Sequence, residues 1–580
     1  MKKFLVQTLS TALVGVLFLS LASCNRQSTT PPAAASPSTG SQVSGPKLEL
    51  PLANGDVTFS LLLAGIGNLV SSFDYADNAF TKRIVDETGI KLDIIGVSDT
   101  DYKARLNVLL GSGDYPDLII SRYSDVTLND LIYFGNEGIF ISMDQFNPLA
   151  YPNIKAAFEE YPAAYDRVRG ADGKLYSLPT VNDCLHCRFR GGRAVYYMPW
   201  IRDNGRTPPQ TTDDLLEYLR WVKANDVNKN GNRNDEIPVA FCRDDIKTAI
   251  SYIAKAYMPF VNTDQYFGLG LVDGKVTEQY KADEFREALK YLANLYKEGL
   301  ILPDSFTMAR QQLRALGGAD PAPVLAYAFT NSQGDASSTG TQRWIETFIA
   351  PVLKGPAGQQ NGPNKDPWSI INPGLIITDK CKNPELAVAW YNYLLNFDVS
   401  MDGYIGPKGQ CWDEPDAGTT SLMGGAPKYK LLIGYGTQPV NAGWNQYNPM
   451  IRNNDFRLGE QAKGADAARQ WLSTGDPSLL SQLVDNASYN EEQNYFNTVD
   501  QFPYEMPAGY FIPPIAMDET DTARLADINA NLETFKEQAC VEFIAGSRDI
   551  NNDAVWNTYL SELDRMGSGE MASLIQKYLK

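Results

Sequence analysis

Val57-Thr58-Phe59-Ser60-Leu61-Leu62-Leu63 is a short apolar run that stops at Gly65 and Gly67, the length and punctuation of a β-strand. From it the chain reads outward as a helix over Asn78–Glu87, closed before Gly89, then a second strand at Lys91–Ile95 (KLDII). A second helix follows over Asp101–Leu110, and Pro116-Asp117-Leu118-Ile119-Ile120 is a third strand. Strand, helix, strand, helix, strand with short connections is the signature of a parallel α/β sheet. Further on, Leu215, Leu216, Leu219 and Val222 recur at a helical period over 212–223, with Thr211 or Thr212 placed to cap the helix. Residues 283–298, 385–396 and 520–545 show the same pattern, and no repeat of fixed period occurs.

Toward the start, Lys2 and Lys3 precede an apolar stretch from Phe4 to about Ala22, weakened by Gln7, Thr8, Ser10 and Thr11. It has the form of an export leader rather than a permanent span. The leader ends in Leu21-Ala22-Ser23-Cys24, which resembles the bacterial lipobox, where the cysteine becomes the lipidated first residue. A plain secretory signal with an incidental cysteine is the alternative. Residues 25–46 are mostly Ser, Thr, Pro, Ala and Gly, too polar to bury a core, and read as a tether. The mature protein is expected on the outer side of the bacterial cell membrane, lipid-anchored through Cys24.

The 580 residues suffice for two to four domains at about 150 residues each. With 51 Lys+Arg against 69 Asp+Glu the net charge is −18, which argues against nucleic acid as a partner. His186 is the only histidine. Sites needing two imidazoles are thereby excluded, and no G-x-S-x-G turn supplies a serine for a triad built on it. Beyond Cys24 there are Cys184, Cys187, Cys242, Cys381, Cys411 and Cys540. Disulfides are permitted in an exported chain, but spacing does not choose among the pairings. Cys184-Leu185-His186-Cys187 lacks the histidine of haem attachment and the second pair of a zinc site; a local disulfide or a redox pair are the readings left.

Gly111-Ser112-Gly113-Asp114-Tyr115-Pro116-Asp117-Leu118-Ile119 resembles the first-lobe signature of extracellular solute-binding proteins. Asp172–Pro179 (DGKLYSLP), Tyr291–Ile301, Gly374–Leu395 and Ala545–Asn551 are similar to further blocks of that family, in its order. Among its members the chain is similar to the large lipoproteins of carbohydrate ABC importers, such as alginate-oligosaccharide binders. The resemblance implies a two-lobed periplasmic-binding-protein-like fold of class II, with a ligand cleft between lobes joined by crossover strands. It implies a leader over 1–23, Cys24 and tether over 24–46, and lobe one over 47–197. Lobe two would then cover 198–372, lobe one return over 373–420, and lobe two finish over 421–580. It also implies a monomer that captures an oligosaccharide without chemical change and passes it to the ABC permease.

The stretch Asp226-Val227-Asn228-Lys229-Asn230-Gly231-Asn232-Arg233-Asn234-Asp235-Glu236 places oxygen side chains at alternate positions, with a glycine sixth. Ca²⁺ takes six to eight oxygens and such a loop wraps them. Ile237 occupies the twelfth position, where an EF-hand carries glutamate, and a strand-like segment follows, so an EF-hand pair is excluded. In the resembling importers a D-x-N-x-N-G loop followed by D-E-I-P binds calcium structurally. The ligands implied here are Asp226, Asn228, Asn230, Asn232, Asp235 and Glu236, with one extra residue before Asp235. An ion-free Asn/Gly turn is the alternative.

Sugar rings stack on aromatic faces, and their hydroxyls need polar side chains. Trp200 follows the expected crossing strand 194–198, and Trp412 and Tyr404 lie where the resembling family changes lobes. Trp344 and Trp444 sit among polar residues and glycines. These five are the expected ligand contacts, with burial in the core as the alternative for each. A secreted glycosidase needs only two carboxylates ~5–9.5 Å apart. Asp413-Glu414 and Asp244-Asp245 are available, yet no motif marks an acid or a nucleophile, so a non-enzyme is expected. A glycan-holding surface lipoprotein without transport is the third reading.

Overall fold

The computed structural model describes residues 48–579 except 66–72, 74, 123–124, 171, 184–191, 262–265, 320–323, 339–340, 363, 365, 422–423, 434–437, 454–455, 457, 463–473 and 475–500. The leader, Cys24, the whole of the tether and Cys184, His186 and Cys187 lie outside the described residues.

The first lobe opens with β1 (Val57–Gly65), α1 (Ala79–Thr88), β2 (Ile90–Ser98), α2 (Tyr102–Ser112) and β3 (Leu118–Ile120). β1 pairs in parallel with β2 from Val57↔Ile90 to Gly65↔Ser98, and with β3 at Leu61↔Leu118. A strand covered on both faces reads as an unbroken apolar run, which is what Leu61-Leu62-Leu63-Ala64 supplies. Asn78 caps α1 by accepting from the backbone N–H of Phe80 and Thr81. The helix ends at Gly89, φ 68°, where a Cβ would stand 2.0 Å from the Ala53 carbonyl oxygen. Only glycine meets both demands. α3 (Leu128–Asn136), α4 (Pro152–Glu160), α5 (Ala164–Val168) and β4 (Leu178–Asn182) complete this first pass.

The chain then builds a second lobe from β5 (Val195–Tyr197), α6 (Met198–Arg202), α7 (Thr212–Ala224), β6 (Ile237–Ala240) and α8 (Ile246–Ala254). The hairpin β7 (Leu269–Val272)–β8 (Lys275–Glu278), α9 (Asp283–Lys297), α10 (Arg310–Gly317), β9 (Leu325–Ala328) and β10 (Thr347–Ile349) follow. It returns through β11 (Ile371–Ile377), α11 (Pro384–Leu394), α12 (Phe397–Tyr404), β12 (Trp412–Asp413), β13 (Lys430–Leu431) and β14 (Ile451–Arg452). It ends in α13 (Glu519–Ala545), α14 (Asp553–Arg565) and α15 (Ser568–Tyr578).

The two main sheets have the orders β14-β4-β11-β3-β1-β2 and β10-β5-β9-β6. Each carries its own core. Leu61, Ile84, Ile119, Leu178, Ile376 and Trp390 share the first; Leu219, Ile253, Leu289, Tyr327, Leu532 and Tyr559 share the second. Every strand and helix expected between 57 and 120 is present, as are those at 212–224, 283–297, 384–394 and 519–545.

The boundaries between lobes differ from the sequence expectation at three places. β5 pairs inside the second sheet, so the chain leaves the first lobe soon after Asn182, ahead of residue 197. Residues 438–452, expected in the second lobe, stay with the first. β14 runs beside β4, Trp444 donates to the Thr81 hydroxyl at 2.9 Å, and Asn78 donates to the Gly443 carbonyl at 2.9 Å. These bonds to α1 and β4 hold the segment on the first sheet. No lobe change occurs at 403–406 either, where α12 ends against a small cluster with Trp412, Tyr429 and Phe456.

Candidate functional site

Strand direction fixes which edge of each sheet faces the other lobe. β4 and β11 are antiparallel neighbours in the first sheet, and β5 and β10 are antiparallel neighbours in the second. The chain therefore leaves the first sheet at Asn182 and rejoins it at Ile371 on adjacent strands, and it enters the second at Val195 and leaves it at Ile349 likewise on adjacent strands. The links between the sheets are residues 183–194 and 350–370. β1, β2, β3, β4 and β14 all run toward the edge from which the chain leaves. In the second sheet Val195 faces both Ala328 and Ile349, which puts the carboxyl ends of β9, β10 and β6 at the edge where the links enter. Ligands of open α/β sheets bind outside strand carboxyl ends, and here both sheets turn that edge toward the links.

On the first lobe this edge carries Ser121, Arg122 and Asp125, directly after β3. Ser121 is 1% exposed and its hydroxyl has no hydrogen-bond partner among the described residues. Arg122 donates to the Gln446 side-chain oxygen and lies 5.5 Å from the Tyr447 ring centre. Burial lowers its pKa to about 10 against the pull of Tyr447. Burial also raises Asp125 to about 6, although its carboxylate accepts the Arg122 backbone N–H at 3.2 Å. At the end of β4, Asp183 accepts the Tyr161 hydroxyl at 3.0 Å.

On the second lobe the residues after β9 are held from three sides. Asn331 donates to the Thr248 hydroxyl at 3.1 Å, and its carbonyl accepts from Arg193 at 3.5 Å. Arg310 spans Asp245, after β6, at 3.1 Å and Asp335, after β9, at 3.0 Å, tying two strand ends together. Lys255, 2% exposed, is lowered to about 7 by burial and by neighbouring Arg193. This edge thus offers guanidinium, amide, hydroxyl and carboxylate groups on rigid strand ends, the chemistry that reads a polyol.

The five aromatic candidates are not gathered there. Trp200 and Trp344 lie in the second core, Trp444 in the first, and Trp412 and Tyr404 in the small cluster around α12. Each is 6% exposed or less. The Trp412 ring N–H donates to Asp402 at 2.8 Å, and the Tyr404 hydroxyl accepts from Arg452 at 2.8 Å. The polar tips of Trp412, Trp444 and Tyr404 are satisfied internally and all five rings are buried, which fits the core alternative. Arg122, Asp125, Tyr447 and Asn331 were not singled out from sequence. For the first two the signal was present, since they directly follow the PDLII strand. The carboxylate pairs weighed for a hydrolase are also placed: Asp245 is clamped by Arg310, while Asp413 accepts the backbone N–H of its neighbour Glu414.

The 226–236 loop is wound as successive Asx turns. Asp226 accepts the N–H of Asn230 and Gly231, Asn228 that of Asn230, Asn230 that of Asn232, and Asn232 that of Asn234. Gly231 sits at φ 88° and Lys229 at φ 58°, the left-handed turns that curl the loop. Asp235 accepts from the amides of Asn228 and Asn230, which turns it inward, and Glu236 accepts the Val227 N–H at 2.8 Å. The other Glu236 oxygen is buried without a partner among the described residues, and burial, with Asp235 alongside, raises its pKa. The donors are all oxygen, which suits a hard cation. Among the described residues, however, no three His, Cys, Asp or Glu side chains converge closely enough to hold a metal. Among the described residues Cys242, Cys381, Cys411 and Cys540 are free, buried thiols, and burial pushes Cys242 up to about 12.

The family model of the bacterial extracellular solute-binding protein matches residues 67–398. The chain is 24% identical over 530 residues to the fructooligosaccharide ABC transporter substrate-binding protein FusA of Streptococcus pneumoniae, covering 88% of each chain. It is 24% identical over 290 residues to the polygalacturonan/rhamnogalacturonan-binding protein YtcQ of Bacillus subtilis, covering 48% of this chain and 52% of the other. Among solved structures, an HMO-binding ABC-transporter-associated solute-binding protein of Bifidobacterium longum infantis superposes with a TM-score of 0.69 at 19% identity, over 90% of this chain and 98% of that one. The alginate-binding protein AlgQ2 without calcium ion gives 0.57 at 18% identity, over 91% and 99%. With two α/β lobes, paired links and a family model that covers more than half of its length, the chain belongs to the bacterial extracellular solute-binding protein family.

Proposed function

We propose that this chain is the ligand-capturing subunit of a carbohydrate ABC importer, holding an oligosaccharide between its lobes and delivering it chemically unchanged to the permease. The observation that carries this reading is the convergence of strand carboxyl ends from both sheets on the edge where the paired links run. The match to FusA along nearly the whole of both chains supports it. In this reading Arg122, Asp125 and Tyr447 face the ligand from one lobe and Asn331 from the other. The buried Trp200, Trp344, Trp412, Trp444 and Tyr404 stiffen the walls behind them. Lobe closure on the ligand gives the permease a form to distinguish. No catalytic step is assigned. The protein acts as a monomer, anchored through lipidated Cys24 on the outer face of the membrane.

We infer further that Asp226, Asn228, Asn230, Asn232, Asp235 and Glu236 hold a structural Ca²⁺. The unpartnered Glu236 oxygen and the all-oxygen donor set support this, and a bound cation would reverse the pressure that raises the Glu236 pKa.

The test is a thermal-shift and calorimetry series on the mature protein with kestose, galacturonan fragments, alginate oligomers and milk oligosaccharides, in Ca²⁺ and in EDTA. A glycan that binds only the folded form stabilises it by ~2.7 kcal/mol at a hundred times its Kd. Binding of one glycan class, recovered intact, supports capture for transport, and loss of that glycan's uptake on deletion of the gene separates an importer from a surface holder. Cleavage of the glycan would move the chain to the hydrolases. EDTA should lower the midpoint of the wild type and leave Asp226→Ala unchanged.

A further inference from the structure

The two lobes also touch away from the links, at one point through the side chain of Asn129. Asn129, the second residue of α3 on the first lobe, donates through Nδ2 to the Thr522 hydroxyl at 3.3 Å. Its Oδ1 accepts the Met517 backbone N–H at 3.5 Å. Thr522 and Met517 bracket the start of α13, whose body packs into the second core. One amide thus uses its donor and its acceptor on the same helix head of the opposite lobe.

Both sides of the contact are firmly set. Thr127 and Asp130 close a capping box at the start of α3, and Lys103 on α2 reaches Asp130 at 2.8 Å and the Asp125 carbonyl at 2.7 Å. Across the gap, Asp518 caps α13 through the Asp521 N–H. The Tyr578 hydroxyl on α15 donates to Asp518 at 2.6 Å and Lys577 pairs with Asp521 at 2.7 Å. The helix head therefore moves with the second lobe and Asn129 with the first.

We propose that Asn129 is an interlobe clasp, which favours the closed arrangement of the lobes and must release for the cleft to open. The contact is small and polar, so it is strong enough to bias a two-state hinge and weak enough to break. Asn129 lies four residues after Asp125, on the segment that carries the candidate ligand-facing groups. Movement of that segment on ligand binding reaches the clasp through a single turn of chain. The clasp does not depend on what the cleft binds.

Small-angle scattering of the ligand-free mature protein tests it, comparing wild type with Asn129→Ala, Thr522→Val and the double variant. Both sites of change are partly solvent-accessible, and thermal unfolding checks that the variants stay folded. Loss of one hydrogen bond should raise the open-to-closed ratio roughly fivefold, read as a shift to a larger radius of gyration. Thr522→Val should shift it less than Asn129→Ala, because the Met517 bond survives, and the double variant should go no further than Asn129→Ala. Scattering of Asn129→Ala that superposes on wild type would overturn the clasp. So would a double variant whose shift is the sum of two independent ones.

Discussion

Trp412 spends its ring in a cluster with Phe397, Tyr404 and Phe456 and its N–H on Asp402. Trp412→Ala should cost about 3–5 kcal/mol in urea unfolding, because a buried ring leaves both a transfer loss and a cavity. A ring lining an open cleft would cost far less, so the measurement separates the two roles. Lys255 gives a pH-dependent counterpart. Its folded pKa of about 7 lies below the ordinary lysine range, so the fold is weakened where the lysine is charged in both states, at and below neutral pH. That penalty fades as pH rises from 7 toward the unfolded value. Lys255→Met should raise the Tm at pH 6, with an advantage that shrinks steadily by pH 10. An equal advantage at both pH values would mean the gain comes from packing alone. Neither residue could be assigned from sequence. A tryptophan next to Asp413 and Glu414 looks like a ring on a polar surface, because nothing local reports that Tyr429 and Phe456 arrive from further along the chain to cover it.

At the level of elements, local rules were enough for β1 through β3 and for α7, whose capping box through Thr211 and Asp214 is readable as T-x-x-D. α13 was legible as a helix but its fastening was not. Its Lys536, fully buried, donates to Glu278 at 2.7 Å and to the Phe267 carbonyl at 2.7 Å, pinning the helix to the β7–β8 hairpin 258 residues away in sequence. Removing one partner strands a buried charge. Glu278→Ala should therefore cost about 3–5 kcal/mol, while replacing both partners together, Glu278→Leu with Lys536→Met, should recover most of it. Chemical denaturation of the two variants, read as a double-mutant cycle, checks this. A pair so distant leaves no periodic trace, which is why the sequence shows the helix and hides its anchor.

On the scale of the molecule, the order of blocks from Gly111 to Asn551 was enough to expect two lobes, and the structure has two sheets with two cores. The points of crossing were less legible, since β5 begins two residues after Arg193 and nothing in VYY says which sheet it will join. A candidate ligand edge also required strand directions, which no single stretch encodes. Scattering with and without a bound glycan should show a smaller radius of gyration in the complex, the expected outcome for lobes that close about paired links. An unchanged profile on binding would place the ligand outside the cleft.

The position of β11 also governs the order in which this protein can be made. The strand lies between β3 and β4 in the first sheet, yet it comes about 190 residues after β4 in the chain, when the second lobe's sheet is already complete. A chain emerging from the export channel amino end first must therefore carry two unjoined halves of its first sheet while the whole of the second is delivered. Until Ile377 is through, β3 and β4 each expose a bare edge outside the cell, open to proteases and to neighbouring chains. The second lobe, which waits for its own closing helices until residue 578, is no safer. The exposed interval is written into the topology, and its length is set by how fast residues 183–377 cross the membrane.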